Sequence, residues 1–135
     1  MGTETIAATE ESYRSNPEVG KAAPAVSGRL ADGRAELSSG AYTWTADLPA
    51  ALGGTGGAPS PTQYLLGALA GCAVVFMHDT LGPQLGMQID DVRATARCKT
   101  DARGLLGMVG VMPDLAGPGG CHATATSCPD PRAST

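Results

Sequence analysis

Cysteine is the residue with the most chemistry to offer here, and the chain has four, Cys72, Cys98, Cys121 and Cys128. As a thiolate, each could act as a nucleophile or a metal ligand. They form no Cys-x-x-Cys pair. Cys121, His122 and Cys128 are the one cluster of metal-binding types, and it lacks a fourth ligand at a customary zinc spacing. The expectation is therefore no metal and no cofactor, and free thiols in a reducing compartment rather than a disulfide framework. Gly53-Gly54-Thr55-Gly56-Gly57 has no following lysine and is not a phosphate-binding loop. No Gly-x-Ser-x-Gly nucleophile elbow occurs. The residue that stands out is Cys72, which closes the run Ser60 to Cys72 among small residues. Held that way, a thiol is either a packed core residue or a reactive nucleophile.

The element that positions Cys72 is legible. Ser60 is an N-cap and Pro61 suits the first helical position. Gln63 completes a capping-box pattern with Ser60. Leu65, Leu69, Cys72 and Phe76 then recur at helical spacing. The uncharged run from Leu65 to Met77 is too short to cross a bilayer and predicts a buried core helix. His78 and Asp79 return the chain to water, and Gly82-Pro83 is a stop signal or a kink before Gly86. His78 is six residues from Cys72 and on another helical face, so no Cys–His pair is expected within the helix.

Around this helix the chain reads as strands. Ala25 to Leu30 and Arg34 to Leu37 flank an Asp32-Gly33 turn and predict a hairpin. Ser39-Gly40 is a second turn, and Tyr42 to Ala46 is an aromatic and β-branched strand. After the helix, Ile89 to Lys99 alternates, with Val92, Ala94, Ala96 and Cys98 on one face and Arg93, Thr95, Arg97 and Lys99 on the other. This makes Cys98 a small core residue. Residues 101–120 are a Gly-rich connection, and Cys121 to Ser127 a last strand. The order predicts an α+β fold, a curved antiparallel sheet packed on a central helix.

With 135 residues the chain is long enough for one domain. Residues 1–24 are polar and read as an arm, flexible or packed on a partner, before a single domain over 25–135. Nineteen glycines, ten prolines and few aromatics favour dimerisation, because one copy buries little apolar surface. A net charge of −4 argues against nucleic acid and anionic membrane as partners. Thr3 to Arg14 has no apolar stretch that would make a signal peptide, so a soluble cytoplasmic protein is expected.

The segment Pro61 to Cys72, with Asp47-Leu48-Pro49 and a Gly-Gly loop before it, resembles the signature of the OsmC/Ohr family, in its OsmC-like branch. There the helix ends in Ala-Gly-Cys, as Ala70-Gly71-Cys72 does here. The resemblance runs from about Ala25 to Leu115. It implies a small cytoplasmic protein folded as an intertwined homodimer. It implies that Cys72 is a peroxidatic cysteine that reduces organic hydroperoxides and is restored by a dithiol reductant. It implies an arginine from the N-terminal hairpin beside the thiolate, at Arg29, with Arg34 as the substitute. It also implies a resolving cysteine in a Cys-Pro pair, which Cys128-Pro129 resembles.

Two departures from the family pattern stand out. The family's peroxidase members carry a glutamate early in the helix, where this chain has Thr62 and Gln63, neither able to balance an arginine's charge. The Cys-Pro pair of the family opens a second long helix, whereas Asp130-Pro131-Arg132 cannot start one. The expectation is a C-terminus truncated before that helix. Three readings follow: a thiol peroxidase centred on Cys72, a non-catalytic OsmC-like dimer that binds a small apolar molecule, or an inactive truncated chain.

Overall fold

The computed structural model describes residues 2–108 and the backbone of the strand 122–128. Two compact units divide the chain, Thr3–Leu65 and Leu66–Thr135.

The first unit opens with helix α1, Gly2–Ser15, and a short 3-10 turn, Pro17–Gly20. The sequence reading had no element here. Ala7, Ala8, Glu10 and Glu11 are good helix formers, and an Arg14–Glu11 ion pair supports the last turn. Three antiparallel strands follow, β1 (Ser27–Ala31), β2 (Arg34–Ser39) and β3 (Tyr42–Ala46). Asp32 and Gly33 both have positive φ, at 51° and 73°. That is the geometry a two-residue hairpin turn needs, and it explains the Asp-Gly pair. The register sets Arg29 opposite Glu36, Leu37 opposite Trp44 and Ala35 opposite Ala46. Leu30, Ala35, Leu37, Trp44 and Ala46 therefore share one apolar face of the sheet, and Arg29, Arg34, Glu36 and Thr45 the other.

Helix α2, Pro61–Val75, starts with the expected cap made in both directions. The Gln63 N–H donates to Ser60 Oγ at 3.3 Å, and the Ser60 N–H donates to Gln63 Oε1 at 2.8 Å. The Tyr64 hydroxyl donates to the Thr45 carbonyl at 2.6 Å and ties the first turn of α2 to β3. The helix does not stop at Gly82-Pro83. A π-helical stretch, Phe76–Leu81, carries it on to Gly82–Gln84. The Gly82 N–H reaches back five residues to the Met77 carbonyl. This wider turn admits Pro83, which has no N–H to lose.

The continuous helix Pro61–Gln84 has 24 residues and is long and apolar enough, by composition alone, to cross a membrane. The core helix of a soluble protein passes the same test. The uncharged run Leu65–Met77 lies inside this longer helix. The expectation of a buried core helix is not met within one chain. No residue of α2 is buried, and among the described residues of the whole chain only Ala46, Asp47 and Gly82 are.

In the second unit, β4 (Asp91–Arg97) pairs antiparallel with β5 (His122–Cys128). The alternation of β4 is as expected: Val92, Ala94 and Ala96 are half-buried, and Arg93, Thr95 and Arg97 are exposed. A short helix α3, Ala102–Leu105, is capped by Asp101. The fold is α+β with antiparallel sheets.

Candidate functional site

Cys72 lies on α2, and its thiol is free and exposed. It shares a helical stripe with Leu65, Leu69 and Phe76, which are 48%, 39% and 49% exposed. The thiol thus sits within an apolar stripe that one chain leaves open to water. His78 points elsewhere and pairs with Asp79 at 2.5 Å. That agrees with its reading as the wet end of the apolar run.

The two hairpin arginines have different surroundings. Arg29 donates through Nε to Glu36 Oε1 at 2.8 Å and is 70% exposed. The cross-strand register alone accounts for this pair, and an exposed pair of this kind contributes little to stability. Arg34 is held deeper, at 38% exposure, with its Nε 3.5 Å from Asp47 Oδ2. Its Nη2 donates to Thr55 Oγ1 at 3.3 Å.

Asp47 is the residue that the sequence reading passed over as a site. Its side chain is 3% exposed, and its carboxylate is met from several sides. The Leu48 N–H donates to Oδ1 at 2.8 Å. Oδ2 accepts from the Thr55 hydroxyl at 2.6 Å, from the Thr55 N–H at 3.2 Å and from the Gly57 N–H at 3.1 Å. A buried carboxylate persists only when paired and bonded in this way. Two glycines permit the wrapping. A Cβ on Gly54 would lie 2.0 Å from the Leu48 carbonyl oxygen, and one on Gly57 would lie 2.1 Å from Arg34 Nη2. The signal in the sequence was that Asp47 is the one acidic residue between Glu36 and Asp79 and stands at the mouth of a Pro/Gly loop.

The Thr55 hydroxyl does most to lower the Asp47 pKa, against the cost of burial, with help from the Gly57, Leu48 and Thr55 N–H groups; it falls from 3.8 to about 2. A depressed pKa stabilises the fold at pH values above the unfolded value, and that contribution fades as the pH falls through the folded one. Acid titration should therefore leave the Thr55 and Gly57 amide resonances unchanged down to about pH 4. They should move together about a midpoint near pH 2. In Asp47→Asn this transition should vanish; its persistence would assign it to another group.

Of the other cysteines, Cys98 is a free, half-buried thiol, on the same face of the chain as Ala94 and Ala96. Cys128 ends β5, in register with Asp91. Cys121 and Pro129 lie outside the described residues, and with them the Cys-Pro pair and the proposed C-terminal truncation. No group of three or more His, Cys, Asp or Glu that could hold a metal occurs among the described residues. Thr62 and Gln63 sit in the first turn of α2, where Gln63 is committed to the cap. The Arg34 carboxylate partner comes instead from the loop before the helix.

The family model described as OsmC-like protein matches residues 54–127, more than half of the 135-residue chain. The match takes in the end of the Asp47 loop, all of α2 with Cys72, and β4. No curated protein matches the sequence.

Proposed function

The chain belongs to the OsmC-like protein family, and on that premise we propose that it is a cytoplasmic, thiol-dependent reductase of organic hydroperoxides, acting through Cys72 as a homodimer. The observation that carries this reading is the free Cys72 thiol in the exposed apolar stripe Leu65–Leu69–Phe76 of α2. A second copy laid on that stripe would enclose the thiol in apolar surroundings, which favour an organic over an inorganic peroxide.

The chemistry needs only the sulfur and a proton path. The Cys72 thiolate attacks the terminal peroxide oxygen, the O–O bond breaks, and the leaving alkoxide takes the proton the thiol gave up. The peroxide is reduced to an alcohol, and the sulfur is oxidised by two electrons to a sulfenic acid. Cys128 then acts as the resolving thiol, condensing with the sulfenic acid to a disulfide and releasing water. A dithiol reductant opens that disulfide by exchange and leaves with its own sulfurs joined.

Mass spectrometry after treatment with one equivalent of cumene hydroperoxide tests this sequence. A Cys72–Cys128 disulfide is expected. A stable sulfenic acid at Cys72 would remove Cys128 from the mechanism and leave the external dithiol to resolve it. An unmodified Cys72 would contradict the enzymatic reading and favour the non-catalytic binding dimer. The capping role of Gln63, which leaves no carboxylate in the first turn of α2, is the observation on that side.

A further inference from the structure

Within the Thr3–Leu65 unit, a cleft of about 270 Å³ opens between the first hairpin and the loop that Asp47 holds. Its walls are mostly apolar, formed among others by Leu30, Ala35, Leu48, Leu52 and Pro61, and both members of the Arg34–Asp47 pair line it. We propose that this cleft is a binding site for a small aliphatic carboxylate, with the carboxylate on Arg34 and the chain against the leucines, and that Asp47 is the positioning residue for the guanidinium.

The size limits the ligand. The cleft holds roughly the space of nine liquid waters, at about 30 Å³ each. That is somewhat below the usual range of drug-sized sites. A chain of about six carbons with one polar end fits this space.

The charge selects the polar end. Arg34 and Asp47 form a pair, but they are unequally presented, at 38% and 3% exposure. The carboxylate spends its lone pairs on four donors of the loop, so its charge is turned inward. The guanidinium uses Nε toward Asp47 and Nη2 toward Thr55, and Nη1 has no hydrogen bond among the described residues. The cleft therefore presents a positive donor to an incoming molecule. A carboxylate suits that donor better than an alcohol, because a charge-assisted bond is the stronger one.

Asp47 acts through Arg34. A guanidinium on a free side chain samples many rotamers and must lose them on binding. Here Asp47 and Thr55 fix it before a ligand arrives. Gly57 leaves room for it, since a Cβ there would lie 2.1 Å from Nη2.

Titration of the full-length protein with hexanoate, followed by backbone and arginine Nε–H resonances, tests the proposal. Saturable shifts at Leu30, Arg34 and Leu52 are expected, with hexanol at least tenfold weaker and hexylamine without effect. Arg34→Gln should weaken hexanoate at least tenfold. Asp47→Asn should weaken it by a similar factor and move the Arg34 Nε–H resonance in the absence of ligand. Should Asp47→Asn fail to fold, Thr55→Val removes one support of the guanidinium and keeps the backbone bonds, and a several-fold loss is expected. Leu52→Trp should block binding by filling the cleft and leave the Arg34 resonance in place. Hexanoate that does not bind, or binds equally to Arg34→Gln, overturns the site. An Asp47→Asn protein that folds, keeps the Nε–H resonance and binds normally overturns the positioning role. Neither readout uses peroxide or Cys72, so the peroxidase reading and this one fail separately.

Discussion

Cys72→Ser is expected to reduce organic hydroperoxide consumption to the uncatalysed background, because a serine oxygen cannot be oxidised to the counterpart of a sulfenic acid. The loss should be complete, since every later step starts from the oxidised sulfur. Cys98→Ser is the control. Cys98 is half-buried and follows β4 on the face of Ala94 and Ala96, and its replacement should retain most of the activity. The fold should survive both changes, because Cys72 is exposed in the single chain and serine is close in size. Peroxide consumption with a dithiol reductant, measured for the two variants side by side, checks this. Equal loss in both would point to a structural role for the thiols.

Leu69→Glu is expected to break the dimer. Leu69 lies in the middle of the stripe Leu65–Leu69–Cys72–Phe76 and is 39% exposed in one copy. In a twofold assembly each substitution occurs twice. Fully burying a leucine is worth about 1.5–3 kcal/mol, and the 39% left open in one copy is about 0.6–1.2 kcal/mol of that, so two copies lose about 1.2–2.4 kcal/mol. At about 1.4 kcal/mol per tenfold, lost burial alone should weaken the dimer roughly 7- to 50-fold, and a carboxylate placed in the apolar stripe should weaken it further. Light scattering at micromolar concentration should give a dimer for the natural sequence and a monomer for Leu69→Glu. Hydroperoxide reduction should fall with it. A natural chain that is monomeric in solution, or that partitions into lipid vesicles, would show that the stripe is covered by something other than a second copy.

How much of this was legible depended on the range of the contacts involved. The cap of α2 is a three-residue pattern, and both of its hydrogen bonds were readable from Ser60 and Gln63. The Asp32-Gly33 hairpin and the strand Tyr42–Ala46 rest on equally local preferences. The role of Asp47 was hidden because its partners lie eight and ten residues on, in a loop whose path its own hydrogen bonds determine. The distinction between Arg29 and Arg34 was hidden for the same reason, since both follow a glycine on neighbouring strands. The continuation of α2 past Gly82-Pro83 depends on a π turn, which no single residue announces. Burial misled most. An apolar helix reads as buried, but a sequence does not say which chain buries it, and within one copy no residue of α2 is.

The measurement that goes most directly to the centre of this account is the rate at which Cys72 is oxidised, one turnover at a time. Stopped-flow reaction of the reduced protein with cumene hydroperoxide and with hydrogen peroxide, read by trapping of the sulfenic acid, supplies it. The account predicts that Cys72 reacts with the organic hydroperoxide far faster than a free thiol does, and faster than with hydrogen peroxide. A rate no greater than that of a free thiol would contradict it.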